Sequence, residues 1–165
     1  MALRGRQSIH EDAGNYELAT ETYRRASTGY SDYLNRYPHD KQMYELTFYL
    51  ADTLYYSQNF DDAVVYFERV RDSGMNDEFV QESATNAVFA YENGIKAAVM
   101  RGDFEEFMIK TSAEREPGVE VVPQEIPERY AQLIAATDVL GTMKPDDENL
   151  AGFQYKAAQI NLGYD

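Results

Sequence analysis

The chain contains no cysteine and no tryptophan, and only two of its 165 residues are histidine. Without cysteine there is no disulfide framework, no zinc ribbon and no thiol nucleophile. The histidines, His10 and His39, lie in polar segments, and neither has a second histidine four residues further on, so the helical zinc-protease motif is absent. We therefore expect both histidines to be exposed and solvated.

Positive charge is also scarce, since 15 Lys and Arg residues stand against 29 Asp and Glu residues, for a net charge of -14. This charge repels phosphate backbones and anionic lipids, so nucleic acid is not expected as a partner, whereas a basic protein would be attracted. The alternative is that the acidity only keeps the protein in solution. No apolar run has the length of a membrane-spanning helix, and residues 1–14 lack the apolar core of a signal peptide.

The acidic pairs do not indicate a catalytic site. Asp61-Asp62, Glu105-Glu106 and Asp146-Asp147 all fall at expected helix starts, where carboxylates complement the helix dipole. None has the alternating ligand spacing of a calcium loop, and no glycine-rich phosphate loop is present. We expect no enzyme activity, no cofactor and no metal site, with a carboxylate-based hydrolase as a remaining alternative.

What the chain does contain is a regular spacing of alanine and aromatic residues. Ala51 and Ala63 are twelve residues apart, with Phe48, Phe60 and Phe67 around them. Two small residues allow two antiparallel helices to approach closely, and the aromatic rings fill the space on either side. The pattern recurs earlier in the chain, where the offset from Tyr23 to Phe60, and from Ala26 to Ala63, is 37 residues.

Local signals predict where the helices begin and end. Pro38 stops a helix after Tyr37, because the residue before proline avoids the helical region. Asp40 is expected to cap a helix over about 41–57, Asn59 makes the next turn, and Gly74 takes the C′ position of the helix that follows. We expect a single domain over 1–165, with clear repeats over 7–75 in which Gly14 belongs to the first helix.

The later part of the chain is less regular. Asn76 is a good N-cap for a third repeat over 76–115, but Gly94 and Gly102 interrupt its pattern, and residues 102–107 look like a turn and the start of another helix. Three prolines make 116–127 an extended link. Terminal helices are expected over 128–164: one from about Glu128 to Gly141, then one capped by Asp146 or Asp147. The last residues, 162–165, resemble a further turn.

Residues 16–91 resemble tetratricopeptide repeat proteins, whose usual period is about 34 residues. The run Tyr30, Tyr33-Leu34 and Tyr37-Pro38, followed by Tyr44, Leu50-Ala51 and Leu54-Tyr55, is most similar to the subgroup found in bacterial cell-envelope proteins. Residues 126–164 resemble parts of long envelope-associated repeat proteins of deltaproteobacteria. The resemblance implies an all-α fold of antiparallel helix-turn-helix repeats stacked into a right-handed superhelical solenoid, in the bacterial periplasm or envelope, with the cytoplasm as the alternative.

The resemblance also implies a binding site, because the first helix of each such repeat lines a concave groove. The expected function is a non-catalytic protein–protein interaction scaffold that binds a peptide or protein, with Lys or Arg side chains, as part of a cell-envelope assembly. The alternative for residues such as Phe48 and Tyr55 is that they only pack on neighbouring helices. The groove positions carried over to this sequence are Glu45, Phe48, Asp52, Tyr55, Tyr56, Gln81, Ala84, Val88, Tyr91 and Glu92.

A second function from a different class is a structural self-assembly module. Solenoid ends normally carry polar caps, whereas the last helix has apolar residues at Phe153, Tyr155 and Ile160. We therefore expect the chain to be part of a longer solenoid, or its ends to stack between copies. The sequence does not determine the oligomeric state.

Overall fold

The computed structural model describes residues 15–107 and 124–164, and within these ranges the fold is all-α, with six helices and no strand. The all-α prediction is thereby confirmed. The chain forms two compact units, unit 1 over Met1–Ala90 and unit 2 over Tyr91–Asp165. The helices are α1 (Tyr16–Arg36), α2 (Met43–Tyr56), α3 (Phe60–Arg71), α4 (Val80–Arg101), α5 (Glu128–Met143) and α6 (Leu150–Tyr164).

In unit 1, α2 packs against both α1 and α3. Ala51 and Ala63 have no exposed surface, so close approach of α2 and α3 occurs where the sequence predicts it. Phe48 and Phe67 are also buried, and their rings meet edge to face with centroids 6.1 Å apart. Small residues and rings therefore alternate along this helix pair, which allows close packing and removes apolar surface from water.

The helix ends in unit 1 follow local hydrogen bonding. α1 ends at Arg36 with Tyr37 as its C-cap, as Pro38 predicts. α2 begins at Met43, two residues later than expected, and the Asp40 carboxylate accepts the Gln42 N–H (2.8 Å) ahead of the helix instead of capping its first turn.

The turn between α2 and α3 is a Schellman motif. The Gln58 N–H donates to the Tyr55 carbonyl and the Asn59 N–H to the Leu54 carbonyl, both at 2.9 Å. Gln58 consequently has φ of 65°, a left-handed conformation that usually selects glycine. Asp61 and Asp62 then occupy the first turn of α3, as predicted.

The third predicted repeat differs most from the structure. α4 is one continuous helix of 22 residues that passes through the buried Gly94, so the expected interruption there is wrong. A glycine inside a helix costs about 1 kcal/mol relative to alanine, which burial of neighbours such as Ile95 and Ala98 can outweigh. The helix ends at Arg101, and the next residue, Gly102, has φ of 77°, which allows the Asp103 N–H to reach the Ala98 carbonyl (2.9 Å).

Two further boundaries also differ. α4 starts at Val80, four residues after the predicted cap Asn76, whose side-chain oxygen accepts the Glu78 N–H (3.0 Å) in the turn before the helix. Residues 102–107 form no helix. Gly74, which has φ of 61°, was predicted at C′ of α3 but lies one position further on, because Asp72 is the C-cap.

In unit 2, α5 packs on α6. α5 buries Tyr130, Leu133 and Leu140. Asp147 shapes the turn into α6, because its carboxylate accepts the Asn149 N–H (2.8 Å) and the Lys144 ammonium (2.9 Å). α6 continues through Tyr164, so the turn predicted over 162–165 is wrong as far as the described residues extend.

Tyr130 is the centre of the unit 2 core. Its ring lies 5.0 Å from Phe104, 5.3 Å from Phe107 and 6.2 Å from Tyr164, and its hydroxyl accepts the Phe107 N–H (3.3 Å). Burial raises the pKa of this phenol. Of the predicted proline-rich link, residues 124–127 belong to no helix, and the Gln124 N–H donates to the Tyr164 carbonyl (2.7 Å). The rest of the link, and the first helix predicted around Gly14, lie outside the described residues.

Candidate partner-binding surface

Four tyrosines of α1 and α2 form two ring pairs, which we call the tyrosine ladder: Tyr23, Tyr30, Tyr49 and Tyr56. The two residues on each helix are seven positions apart, so they lie on one face, two turns from each other. Because α1 and α2 run antiparallel, Tyr23 stacks on Tyr56 (centroids 4.9 Å apart) and Tyr30 meets Tyr49 (6.2 Å). The ladder presents aromatic surface along this helix pair.

The exposure of the ladder varies along its length. Tyr23 is buried, Tyr30 and Tyr49 are half-buried, and Tyr56 is 46% exposed. The Tyr49 hydroxyl donates to the Glu45 carboxylate (2.7 Å), which places an acidic group beside the rings. An aromatic surface with a carboxylate at its edge suits a partner that carries both apolar and cationic groups.

An open groove of about 560 Å³ lies between α1 and α2, and Tyr30 belongs to both this groove and the ladder. Apart from Gly29, its two chain neighbours and the nearby backbone of its own helix, no heavy atom lies within 4 Å of the position that a Cβ would take at Gly29, so the groove is open at that point. The groove is lined by Thr22, Arg25, Ala26, Gly29, Tyr30, Tyr33, Gln42 and Leu46.

Hydrogen bonds fix the polar groups at the groove. The Tyr33 hydroxyl donates to the Asp40 carboxylate (3.0 Å), an interaction that raises the pKa of the phenol and keeps it protonated. Arg25 donates to Glu21 (3.0 Å), and the hydrogen bonds from Arg25 and then Arg24 lower the pKa of the Glu21 carboxyl. The rim therefore holds oriented polar groups beside an aromatic wall.

The groove residues predicted in unit 1 differ in position and exposure. Glu45 and Tyr56 lie at the ladder, and Tyr55 is half-buried with its ring against Tyr56 and Phe60, at 5.4 Å from each. Gln81 is exposed on α4. The buried positions are Phe48, Asp52, Ala84 and Val88.

The burial of Phe48 has a specific cause. The ring of Phe79, just before α4, stacks on Phe48 with centroids 4.4 Å apart and planes within 8°. The Phe79 N–H donates to the Tyr44 hydroxyl (3.0 Å), which holds this ring in place. Phe48 and the fully buried Val88 therefore lie in the core of unit 1, where their side chains pack against other helices.

In unit 2 the two predicted groove residues are Tyr91 and Glu92. Tyr91 is half-buried. Glu92 accepts from the Lys156 ammonium at 2.7 Å and has Lys96 at 3.7 Å, and its side chain is 17% exposed. Because Lys156 already neutralises this carboxylate, a basic partner would have to compete with an internal ion pair.

Sequence reasoning missed most of the groove between α1 and α2. It used Tyr30 and Tyr33 only as part of the run that resembles tetratricopeptide repeats, and it gave no role to Gly29, Gln42 or Leu46. The seven-residue spacing from Tyr23 to Tyr30, repeated from Tyr49 to Tyr56, was a readable signal for the ladder. The groove itself depends on which side of each helix faces its neighbour, which a single helix pattern does not show.

In the part of the chain that the structure describes, no helix is both long enough and apolar enough to cross a membrane. Within the same residues, no three His, Asp or Glu side chains come together as metal ligands would. No protein-family model matches the sequence, and no curated protein sequence matches it.

Proposed function

We propose that this chain is a non-catalytic protein–protein interaction scaffold of the tetratricopeptide class, which binds a peptide or protein partner. The observation that carries the proposal is the open groove of about 560 Å³ beside the tyrosine ladder. Tyrosine gives a large contact area at low cost in conformational entropy, and aromatic residues dominate the energetics of binding sites. Tyr33 and Tyr56 are both exposed at this surface.

Charge favours a basic partner. The net charge of -14 attracts cations and opposes phosphate backbones, and Glu45 lies at the ladder. The constant 37-residue offset and the buried Ala51 and Ala63 support the stacking of repeats into a solenoid, which is part of the proposal. Membership of a cell-envelope assembly is also part of it and rests on the resemblance to envelope repeat proteins.

The test is a selection from a displayed library of random peptides on the immobilised chain. We expect retained peptides to be enriched in Lys and Arg, and to be released when Tyr56→Ala or Glu45→Gln replaces the wild type. Tyr155→Ala is the matched control, since Tyr155 is 68% exposed on α6 and lies outside this surface. Peptides kept equally by all three variants would place binding elsewhere, and no enrichment of any sequence would contradict the scaffold proposal.

Self-assembly is a second candidate function, and exposed apolar side chains on α6 favour it. Tyr155 is 68% and Leu162 54% exposed, whereas Phe153 and Ile160, which the sequence suggested as exposed ends, are buried. A charge at Ile160 would therefore disrupt the core and not report on assembly. We expect a self-assembling chain to become monomeric in Tyr155→Glu with Leu162→Glu by sedimentation, whereas a scaffold would keep the same sedimentation coefficient.

A further inference from the structure

A second cavity in unit 1, of about 280 Å³, lies among the C-terminal part of α1, the first half of α2 and the C-terminal part of α3. It is separate from the groove beside the ladder, because the two share no lining residue. Its inner wall includes Leu50 and Val70, each 1% exposed, and Met43 and Met75 also line it. A cavity of about 150 Å³ can hold benzene, so this one has room for a single ring or a short aliphatic chain.

This largely apolar cavity is also lined by a positively charged side chain. Arg69 lines it, with its guanidinium 4.8 Å from the centroid of the Tyr66 ring, which also lines it. Among the described residues no carboxylate forms an ion pair with Arg69, since the neighbouring Glu68 and Asp72 both pair with Arg71. In a chain with 29 acidic residues, an arginine held on an aromatic face without a carboxylate is available to an anion.

Neutral hydrogen-bonding groups complete the lining. Asn35 and Ser31 of α1 border the cavity, and an amide can donate to an anion beside the guanidinium. The hydroxyls of Thr47 and Ser73 are used internally, because they donate to the Met43 (2.6 Å) and Val70 (2.9 Å) carbonyls. Arg69 and Asn35 therefore add donors to a lining whose remaining residues include the apolar Leu34, Met43, Leu50, Val70 and Met75.

We propose that this cavity binds a small apolar carboxylate, with its hydrocarbon part among Met43, Leu50 and Val70 and its carboxylate on Arg69. An apolar wall selects the hydrocarbon part, and the planar fork of arginine donors matches a carboxylate. This inference does not depend on the proposed scaffold function, because it concerns a different cavity and a different class of ligand.

The test is an NMR titration of the whole chain with octanoate and with octanamide, its neutral analogue, followed through the methyl signals of Met43 and Met75. We expect both probes to give saturable shifts, with octanoate about fivefold tighter because of the guanidinium. In Arg69→Gln that preference is expected to disappear. Arg24→Gln is the matched control, since it removes the same charge from α1 outside the cavity.

Ser31→Leu provides a second, independent variant, because it places a larger apolar side chain at the cavity wall. We expect it to weaken both probes about tenfold or more while the chain stays folded by circular dichroism. An N-acetylated tetrapeptide ending in leucine distinguishes a free carboxylate from the end of a protein chain. Equal affinity for octanoate and octanamide, an octanoate preference that survives in Arg69→Gln, binding of the tetrapeptide alone, or no saturable shift would each overturn the proposal.

Discussion

The two units of the chain are stabilised in different ways. In unit 1, α2 lies between two helices, and its contact with α3 uses alanines without exposed surface and rings beside them. In unit 2, the segments before α5 contact Tyr130 and the end of α6 with side chains and backbone groups that belong to no helix. Packing in unit 1 is thus spread along helix faces, whereas in unit 2 much of it converges on one residue.

The largest expected effect on the free energy of unfolding comes from substituting Tyr130, the residue on which the packing of unit 2 converges. Replacing Tyr130 with alanine removes a ring that is 1% exposed and in contact with Phe104, Phe107 and Tyr164. We expect the free energy of unfolding to fall by about 3–5 kcal/mol. Amide hydrogen exchange should accelerate most in α5 and α6.

Tyr130→Phe is the control for this change. It keeps the ring and loses only the hydroxyl that accepts the Phe107 N–H, so we expect a loss of about 1 kcal/mol. Equal losses in both variants would mean that the hydroxyl, and not the ring, holds unit 2 together.

The corresponding test in unit 1 is overpacking of the alanine contact. Ala51→Leu inserts three carbon atoms where no surface is exposed, and we expect a loss of about 1–3 kcal/mol with the fastest exchange in α2 and α3. Ala135→Leu makes the same change at an exposed position of α5 and should be nearly neutral. A loss at Ala51 no larger than at Ala135 would show that α2 and α3 separate easily.

This difference between the units explains how much of the fold could be predicted. The contact between the consecutive helices α2 and α3 includes Ala51, Ala63 and Phe67, so their spacing in the sequence is enough to predict that they are buried. The contacts of Tyr130 with Phe107 and Tyr164 join residues 23 and 34 positions away, and no periodic pattern records them. At Gly94 the sequence predicts an interruption that the structure does not have, because burial overrides the low helix propensity of glycine.

The candidate surface was predictable only in part. The repeat pattern indicated Glu45 and Tyr56, which lie at the ladder. It also indicated Phe48, because groove positions and core positions of a helix differ by less than one turn. Phe48 lies in the core and not in the groove, because Phe79 stacks on it. Phe79 belongs to a turn, and helical periodicity does not describe residues in turns.

Two glycines of α6 differ in the space that surrounds them, so their substitution tests the packing of unit 2. A Cβ at Gly163 would lie 2.9 Å from the Phe107 ring, whereas a Cβ at Gly152 would have no heavy atom within 4 Å apart from Gly152, its chain neighbours and the nearby backbone of α6. We expect Gly152→Ala to stabilise the chain by about 1 kcal/mol through helix propensity, and Gly163→Ala to destabilise it by about 1–2 kcal/mol. Thermal unfolding of the two variants measures whether each substitution stabilises or destabilises the chain.

A double variant shows whether the contact is the cause. If Phe107 is responsible, Gly163→Ala should cost less in a Phe107→Leu background than in the wild type. Stabilisation by both glycine variants would show that Phe107 moves aside freely and that the Tyr130 core is looser than the structure indicates.

The smallest expected difference is electrostatic. Arg71 donates to both carboxylate oxygens of Asp72, each at 2.7 Å, and this hydrogen bonding lowers the pKa of the Asp72 carboxyl. A lowered pKa in the folded state means that the stabilisation is complete above the unfolded value of about 3.9 and is lost as the pH falls through the folded value. Because the Asp72 side chain is 62% exposed, we expect less than about 1 kcal/mol from this pair. Urea unfolding of Asp72→Asn should therefore show a small loss at pH 7 that shrinks as the pH falls below about 3.9 and through the folded pKa. A loss that persists in acid would mean that Asp72 acts through packing at the end of α3 and not through its charge.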